Sequence, residues 1–268
     1  MSDSKSLNVN ATGYTIGFAL VVALICAALV SVTAVSLKPM QDANARLYME
    51  KNVLFAAGLA EPGQSLSVAE VDAVFDRAIV ARLIDLRTGA LLDADPAEAR
   101  RFDQRAARND PATSSAAPAN DAGVRRLPDR AQVFFIMQGD AVDQVVIPVE
   151  GLGMWGTIYG FLSLAPDAET VRGLTYYEHR ETPGLGGEIA NPDWLARWEG
   201  RKIHDADGAV AIAVRKGEAG PPETDPLHVD GLSGATVTSN AVTRFMQYWL
   251  DENGYGPFLR RFREGELS

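Results

Sequence analysis

The sequence is poor in the residues that bind metals or form disulfides. Its 268 residues include one cysteine, Cys26, and three scattered histidines, His179, His204 and His228. A single cysteine excludes an intrachain disulfide and any zinc or iron–sulfur site built from four cysteines of this chain. The histidines show no metal-ligand spacing, so we predict no metal site. A redox centre held by this chain would have to be organic or shared with partner subunits.

Basic residues are also scarce. The chain has 25 Lys and Arg against 35 Asp and Glu, which gives a net charge of −10. Proteins that bind nucleic acid need clustered Lys and Arg to neutralise phosphates, so the charge balance argues against nucleic acid as a partner. Hydrophobic residues make up 47% of the chain, which is ample for one globular domain plus an apolar anchor.

Charge is absent from Ser6 to Leu37, and residues 14–36 are apolar or small. About twenty helical residues, at ~1.5 Å each, cross the ~30 Å hydrocarbon core of a bilayer. The run predicts a transmembrane helix over residues 14–36, preceded by an N-terminal tail over residues 1–13. A cleaved signal peptide is the alternative, because residues 32–34 (VTA) resemble a cleavage site. The length of the run and the lack of a basic start favour an uncleaved anchor.

Residues 37–268 have the pattern of one α+β domain. Ser67 and Glu70 form a capping-box pattern that opens a helix ending near Ala78, and Asn191-Pro192 is a favourable start for a short helix. The other predicted elements are helices over residues 40–59 and 239–252, strands over 81–86 and 209–214, and two hairpins, 133–137 with 141–149 and 155–164 with 171–177. Residues 100–121 are rich in Ala, Asp, Arg and Pro, a composition that buries little surface and predicts a mobile insertion.

Residues 230–239 (DGLSGATVTS) form a small-residue turn that leads into the last long amphipathic helix. A helix N-terminus presents free N–H groups and the positive end of the helix dipole, which suit a phosphate. Thr238 and Ser239 are predicted to cap this helix and to donate to that phosphate. An ordinary loop followed by a cap is the alternative. Spacing alone does not separate Thr236 from Thr238 as a modified hydroxyl.

Residues 181–187 (ETPGLGG) form a second glycine-rich stretch. Its three glycines allow positive φ and close backbone approach, so their amides could line a flat ring system. The stretch is neither a P-loop nor GxGxxG, and a plain glycine-rich turn is the alternative. Glu178, His179 and Glu181 could form an acid/base cluster, but polar loop residues are the more ordinary interpretation.

Taken together, five stretches resemble one bacterial family, the C subunits of the Na+-translocating NADH:quinone reductases. They are residues 153–161, 178–188, 191–194, 230–239 and 254–259. Residues 230–236 resemble the flavinylation motif Asp-Gly-x-Ser/Thr-Gly-Ala-Thr, in which FMN is esterified through its phosphate to the last threonine. The likeness runs from the anchor to the C-terminus, is dense from about residue 145, and fails over residues 100–121.

The resemblance implies a fold and a site. The fold is α+β, with one N-terminal transmembrane helix followed by a single mixed α/β FMN-binding domain. The site carries covalent FMN on Thr236, with Leu185 packed on the isoalloxazine ring and with Glu181 and Thr182 offering polar contacts to its edge. The other residues implied at the site are Ser233, Gly234, Ala235, Thr238, Ser239, Gly184 and Gly186. No catalytic residue is implied.

The resemblance also implies a function. The chain would relay electrons from a membrane iron–sulfur centre to the FMN of the B subunit, coupled to Na+ export. Its partners would be the A, B, D, E and F subunits, a flavin transferase for maturation, and membrane lipid. The large domain would lie in the periplasm at the bacterial inner membrane, whereas Lys38, Arg46 and Lys51 after the span mildly favour an outside N-terminus.

Three alternatives stay open at this point. The first is the G subunit of the related ferredoxin:NAD+ oxidoreductase, which shares the motif of residues 181–188. The second is a membrane-anchored module that binds flavin noncovalently or binds none. The third is a structural anchor subunit whose glycine loops only pack against partners.

Overall fold

A computed structural model describes residues 11–266 of the chain. The chain divides into two compact units, Met1–Leu47 and Tyr48–Ser268. The predicted tail over residues 1–13 lies mostly outside the described residues. The helices are α1 (Thr12–Ala56), α2 (Val68–Ala78), α3 (Pro96–Arg101), α4 (Gln104–Asn109), α5 (Pro192–Leu195), α6 (Thr236–Leu250) and α7 (Gly256–Arg263). The strands are β1 (Ile79–Asp85), β2 (Ser114–Ala116), β3 (Arg126–Pro128), β4 (Arg130–Gln138), β5 (Ala141–Leu152), β6 (Thr157–Leu164), β7 (Val171–Glu178), β8 (Ala213–Val214) and β9 (His228–Val229).

The described part of the first unit is helix α1 up to Leu47, and the apolar residues of α1 from residue 12 to residue 46 are exposed. This helix is long and apolar enough to cross a membrane, a test that a signal sequence also passes. The prediction of a separate helix starting at Met40 is wrong, because α1 continues through Pro39. Proline removes one backbone donor from the helix interior, but here the hydrogen-bonded turns on either side of it remain helical.

The second unit is built on a five-stranded antiparallel sheet with the order β1-β4-β5-β6-β7. Both predicted hairpins are confirmed, with Phe135 opposite Val145 in the first and Leu162 opposite Leu174 in the second. The capping box at Ser67 is confirmed as well. Period-two alternation and turn residues specify such hairpins locally, so the sequence was sufficient to predict them.

Helix α6 covers one face of this sheet and packs mainly on β5. Val242, Phe245 and Trp249 are fully buried there, as their spacing predicts. The Trp249 indole Nε1 donates to the Glu150 carbonyl at 2.6 Å. A Cβ on Gly151 would lie 2.2 Å from the Phe245 Cβ, so α6 can approach β5 only where the strand has no side chain. This contact fixes the position of the middle of α6 on strand β5.

Residues 100–121 form regular elements, although Ser114 is the one buried residue among them; that the segment is mobile stays a prediction. The segment contains helix α4, strand β2 and the end of helix α3. The Arg105 guanidinium lies 3.4 Å from the centre of the Tyr159 ring, and Arg108 forms an ion pair with the mostly buried Glu150. A prediction from composition treats arginine as a solvent-exposed residue. Here the long side chains of Arg105 and Arg108 lie against the sheet instead.

Two further elements differ from prediction. The strand predicted over residues 209–214 is reduced to β8, which pairs in parallel with β9. Ala211 and Ile212 instead donate to the Ile203 carbonyl, which takes them out of a ladder. Helix α7 was not predicted. Its Phe258 ring stacks on Phe135 of the sheet at 6.2 Å and closes the core.

Candidate functional site

The small-residue turn enters helix α6 earlier than predicted. Helix α6 begins at Thr236, and Ala235 is its N-cap residue, with no side-chain cap hydrogen bond. The prediction that Thr238 and Ser239 cap the helix is therefore wrong, because both lie within its first turn. The reason is local backbone geometry: Gly234 has φ of 73°, a left-handed conformation that turns the chain before the hydroxyl residues are reached.

The two threonines of this turn have opposite environments. Thr238 is 1% exposed, and its hydroxyl donates to Oε2 of Glu181 at 2.5 Å. Ser239 is buried too, and its Oγ accepts from the Leu232 amide at 3.2 Å. Thr236 is exposed, and its hydroxyl makes no hydrogen bond within residues 11–266. The structure thus distinguishes two hydroxyls that spacing alone could not separate.

A cleft of about 480 Å³ lies beside Thr236. Its lining includes Arg197, Lys216, Ser233, Gly234, Thr236 and Asn240. The lining also includes the carboxylates Glu218 and Asp230, and Asp230 pairs with Arg197. Lys216 and the N-terminal end of α6 are the features that favour an anion such as a phosphate here. Within residues 11–266, no group of three or more His, Cys, Asp or Glu is placed to hold a metal ion.

Asp230 holds the turn that precedes Thr236. One of its carboxylate oxygens pairs with Arg197, and the other accepts from the Ala219 amide at 2.7 Å. Its carbonyl accepts from the Trp194 indole at 2.9 Å. The first residue of the motif therefore orients the loop that leads to Thr236.

The glycine-rich stretch of residues 181–187 lies against the start of α6. Gly186 is buried, and a Cβ there would lie 2.5 Å from Oγ1 of Thr238. Leu185 is 45% exposed, and its Cδ2 lies 3.1 Å from the position of a Cβ on Gly234. Thr182 and Gly184 are exposed beside it. The two stretches singled out by sequence are therefore brought together.

Glu181 does not present its carboxylate to solvent. It is 4% exposed, with Oε1 accepting from the Trp155 amide at 3.0 Å and Oε2 accepting from Thr238. The resemblance implies a polar contact between the Glu181 side chain and the edge of the flavin ring. In the structure, however, both carboxylate oxygens already accept hydrogen bonds from the protein. Of the two polar residues predicted to meet such an edge, Thr182 is the exposed one.

One component of the site was missed from sequence. Strand β6 starts at Thr157 rather than at Trp155, and the Trp155 side chain is 60% exposed in the loop before it. Met154, Leu185 and Val237 are exposed large apolar residues nearby in the fold. The signal was Gly153 and Gly156 around Trp155, since paired glycines favour a loop over a strand. We call Met154, Trp155, Leu185 and Val237 the apolar wall. Leu185 approaches Gly234, and Val237 follows Thr236 on α6, whereas the cleft itself is lined by other residues.

Comparisons with known proteins match this region. Residues 153–251 match the FMN-binding domain family. Over its whole length, the chain is 41% identical to the C subunit of the Na+-translocating NADH-quinone reductase of Yersinia pestis, covering 99% of that protein. It is also 41% identical to the C subunit of Pseudomonas aeruginosa, over 97% of this chain and 99% of that one. The chain belongs to the C-subunit family of Na+-translocating NADH-quinone reductases.

Solved structures of the C-subunit family share the fold. NqrC of Shewanella oneidensis matches with a TM-score of 0.75 and 34% identity, covering 83% of this chain and 99% of that one. The C subunit of Parabacteroides distasonis matches with a TM-score of 0.64 and 25% identity, over 83% and 96%. The predicted family and the predicted fold class, an N-terminal apolar helix followed by a mixed α/β domain, are confirmed. Membership in the C-subunit family also favours the quinone reductase over the ferredoxin:NAD+ oxidoreductase.

Proposed function

We propose that Thr236 carries FMN as a phosphoester and that the chain is the flavin-bearing C subunit of a Na+-translocating NADH:quinone oxidoreductase. One observation carries the assignment of the residue. Of the two threonines at the start of α6, Thr236 has an exposed hydroxyl with no hydrogen bond to any of residues 11–266, whereas Thr238 is buried and bonded to Glu181. A flavin transferase can reach only a hydroxyl at the surface.

The surroundings suit a phosphoester at this position. Ser233, Gly234 and Ala235 carry small side chains, so neither the transferase nor the attached group meets an obstacle on the approach. The N–H groups in the first turn of α6 and the Lys216 ammonium offset the negative charge of the phosphate, and Arg197, which pairs with Asp230, lines the same cleft. The residues present therefore fit the phosphate of FMN.

The apolar wall fits the ring system of the same cofactor. Leu185, Trp155 and Val237 offer exposed apolar surface beside the attachment residue, and aromatic or aliphatic faces stack well on a flat ring. Thr182 and the backbone of Gly184 and Gly186 would supply polar contacts to the ring. Ser239 would support the loop before Thr236, because its Oγ accepts from the Leu232 amide. FMN supplies the electron-transfer chemistry, and the protein contributes its orientation and electrostatics.

The chain acts as an electron carrier within a larger assembly. Its relatives are named as one subunit of a reductase, so we assign it the A, B, D, E and F subunits as partners and a relay from an iron–sulfur centre to the FMN of the B subunit. The apolar part of α1, residues 14–36, anchors it in the bacterial inner membrane, with the large domain in the periplasm. This span contains no acidic residue, so coupling to Na+ export relies on the other subunits.

The proposal is tested by flavin fluorescence in a denaturing gel. Wild type, Thr236→Ala and the matched control Thr224→Ala, an exposed threonine outside the motif, are co-expressed with a flavin transferase and exported. We expect fluorescent bands for wild type and Thr224→Ala and a dark band for Thr236→Ala. Dark bands throughout, despite an active transferase, would favour a noncovalent flavin module or a structural anchor subunit. Fluorescence in Thr236→Ala would place the ester on another hydroxyl.

A further inference from the structure

We propose that Glu181 is a positioning residue that joins three separate segments into one flavin site. The inference rests on the proposed function for its consequence, but the contacts that support it belong to the protein itself. The segments are the loop before β6 with Trp155, the glycine-rich stretch of residues 181–187, and the first turn of α6. Glu181 does not touch the ring and acts through the residues it holds.

The carboxylate has a donor on each side. Oε1 accepts from the Trp155 amide at 3.0 Å, and Oε2 accepts from the Thr238 hydroxyl at 2.5 Å. An ionised carboxylate is an acceptor only, so it satisfies both donors at once. A buried carboxylate is stable only when such bonds replace its lost hydration. The pairing ties residues that are 26 and 57 positions away from Glu181 in the chain.

Two glycines make room for this carboxylate. A Cβ on Gly153 would lie 2.6 Å from its Oε1 atom, and a Cβ on Gly186 would lie 2.8 Å from its Oε2 atom. Neither glycine has φ in the left-handed region, so backbone conformation does not require glycine at either place. Glycine is required at these two positions because a side chain there would occupy the space of the carboxylate and of the Thr238 hydroxyl. A side chain at either position would displace the contact.

The consequence is a fixed apolar wall. The Trp155 amide is bonded directly to the carboxylate, and Leu185 is four residues along the loop from Glu181. Thr238 lies two residues after Thr236 on the same helix. The carboxylate therefore sets the positions of Trp155 and Leu185 relative to Thr236. Without it, these loops would lose their shared anchor while the attachment hydroxyl stayed in place.

The direct test is amide hydrogen exchange on the full-length protein in detergent, prepared without flavin transferase. Glu181→Ala should raise exchange at the Trp155 amide by about tenfold or more, because a hydrogen bond to a charged group is lost. Glu181→Gln should stay close to wild type, since its carbonyl can accept from Trp155 while its amide donates to Thr238. Glu188→Gln, in the same segment and bonded to Asn191, is the control and should leave Trp155 unchanged.

A second variant keeps the test decisive if Glu181→Ala fails to fold. Gly186→Ala retains the carboxylate but places a methyl group 2.5 Å from the Thr238 Oγ1 atom. It should raise exchange at the Trp155 amide, which it does not touch. Unchanged exchange at Trp155 in a folded Glu181→Ala or Gly186→Ala protein would overturn the inference.

Flavin-loaded protein separates this inference from the proposed function. Glu181→Ala should keep a fluorescent band in the denaturing gel, because Thr236 is intact, but its native flavin emission should rise as the ring loses its wall. A dark wild-type band would reject covalent attachment and leave the exchange result standing. Native emission identical to wild type in a labelled Glu181→Ala protein would reject the positioning role.

Discussion

The two threonines at the start of α6 should respond in opposite ways to the loss of their hydroxyls. Thr238→Val removes a buried hydrogen bond to the Glu181 carboxylate without changing side-chain volume or β-branching. Hydrogen bonds to charged groups contribute about 1.5–3 kcal/mol, so the free energy of unfolding should fall by about that amount. Thr236→Val changes an exposed residue with no such bond, and its effect should stay within about 0.5 kcal/mol.

Thermal unfolding of the flavin-free full chain measures this difference. The unfolding is monitored by the near-ultraviolet circular dichroism of the buried Trp198 and Trp249. At roughly 2–4 °C per kcal/mol for a domain of this size, Thr238→Val should lower Tm by about 3–12 °C and Thr236→Val by about 2 °C or less. Thr238→Ser restores the hydroxyl and should recover most of the loss. The flavin signal should reverse the order, lost from Thr236→Val and kept by Thr238→Val. Equal Tm shifts for the two valine variants would refute the reasoning.

Three further predictions concern the domain that carries the site. Burial alone would raise the pKa of Asp167, but hydrogen bonds from Thr170 lower it to about 2. Above about pH 4, Asp167→Asn should therefore reduce the free energy of unfolding by roughly 1 kcal/mol or less after solvent screening. The difference, measured by urea titration, should disappear as pH falls to about 2. Gly151→Ala drives a methyl group into the aromatic ring that α6 packs there, and a urea titration should show a loss of about 1–3 kcal/mol or more. Burial raises the pKa of Glu150, and the charge of Arg108 opposes this rise. Arg108→Met should therefore reduce the free energy of unfolding by about 3–5 kcal/mol at neutral pH. The reduction should be smaller in acid, where Glu150 protonates, and equal reductions at neutral and acid pH would contradict the prediction.

The parts of this fold that the sequence predicts are those that depend on local periodicity. The hairpins, the capping box and the buried face of α6 all follow from residues within a few positions of one another. The start of α6 was predicted too late, because the left-handed Gly234 turns the chain before Thr238 and Ser239 are reached. The burial of Thr238 could not be predicted from local sequence, since its partner Glu181 is 57 positions away. The packing of residues 100–121 was missed for a similar reason, since the ion pair of Arg108 with Glu150 joins distant segments.

Helix geometry explains why only one of the two threonines at the start of α6 has a hydroxyl at the surface. Residues two positions apart on an α-helix point about 200° apart, so they cannot both face the core. Val242 and Phe245 face the sheet and are fully buried, and Thr238 lies four and seven positions before them, on the same face. Thr236 must then point away from the core, at the first turn, where N–H groups are still unpaired. Attachment at this position would leave the cofactor at the surface, where an electron partner can approach, while the buried side of the same turn is held by Glu181.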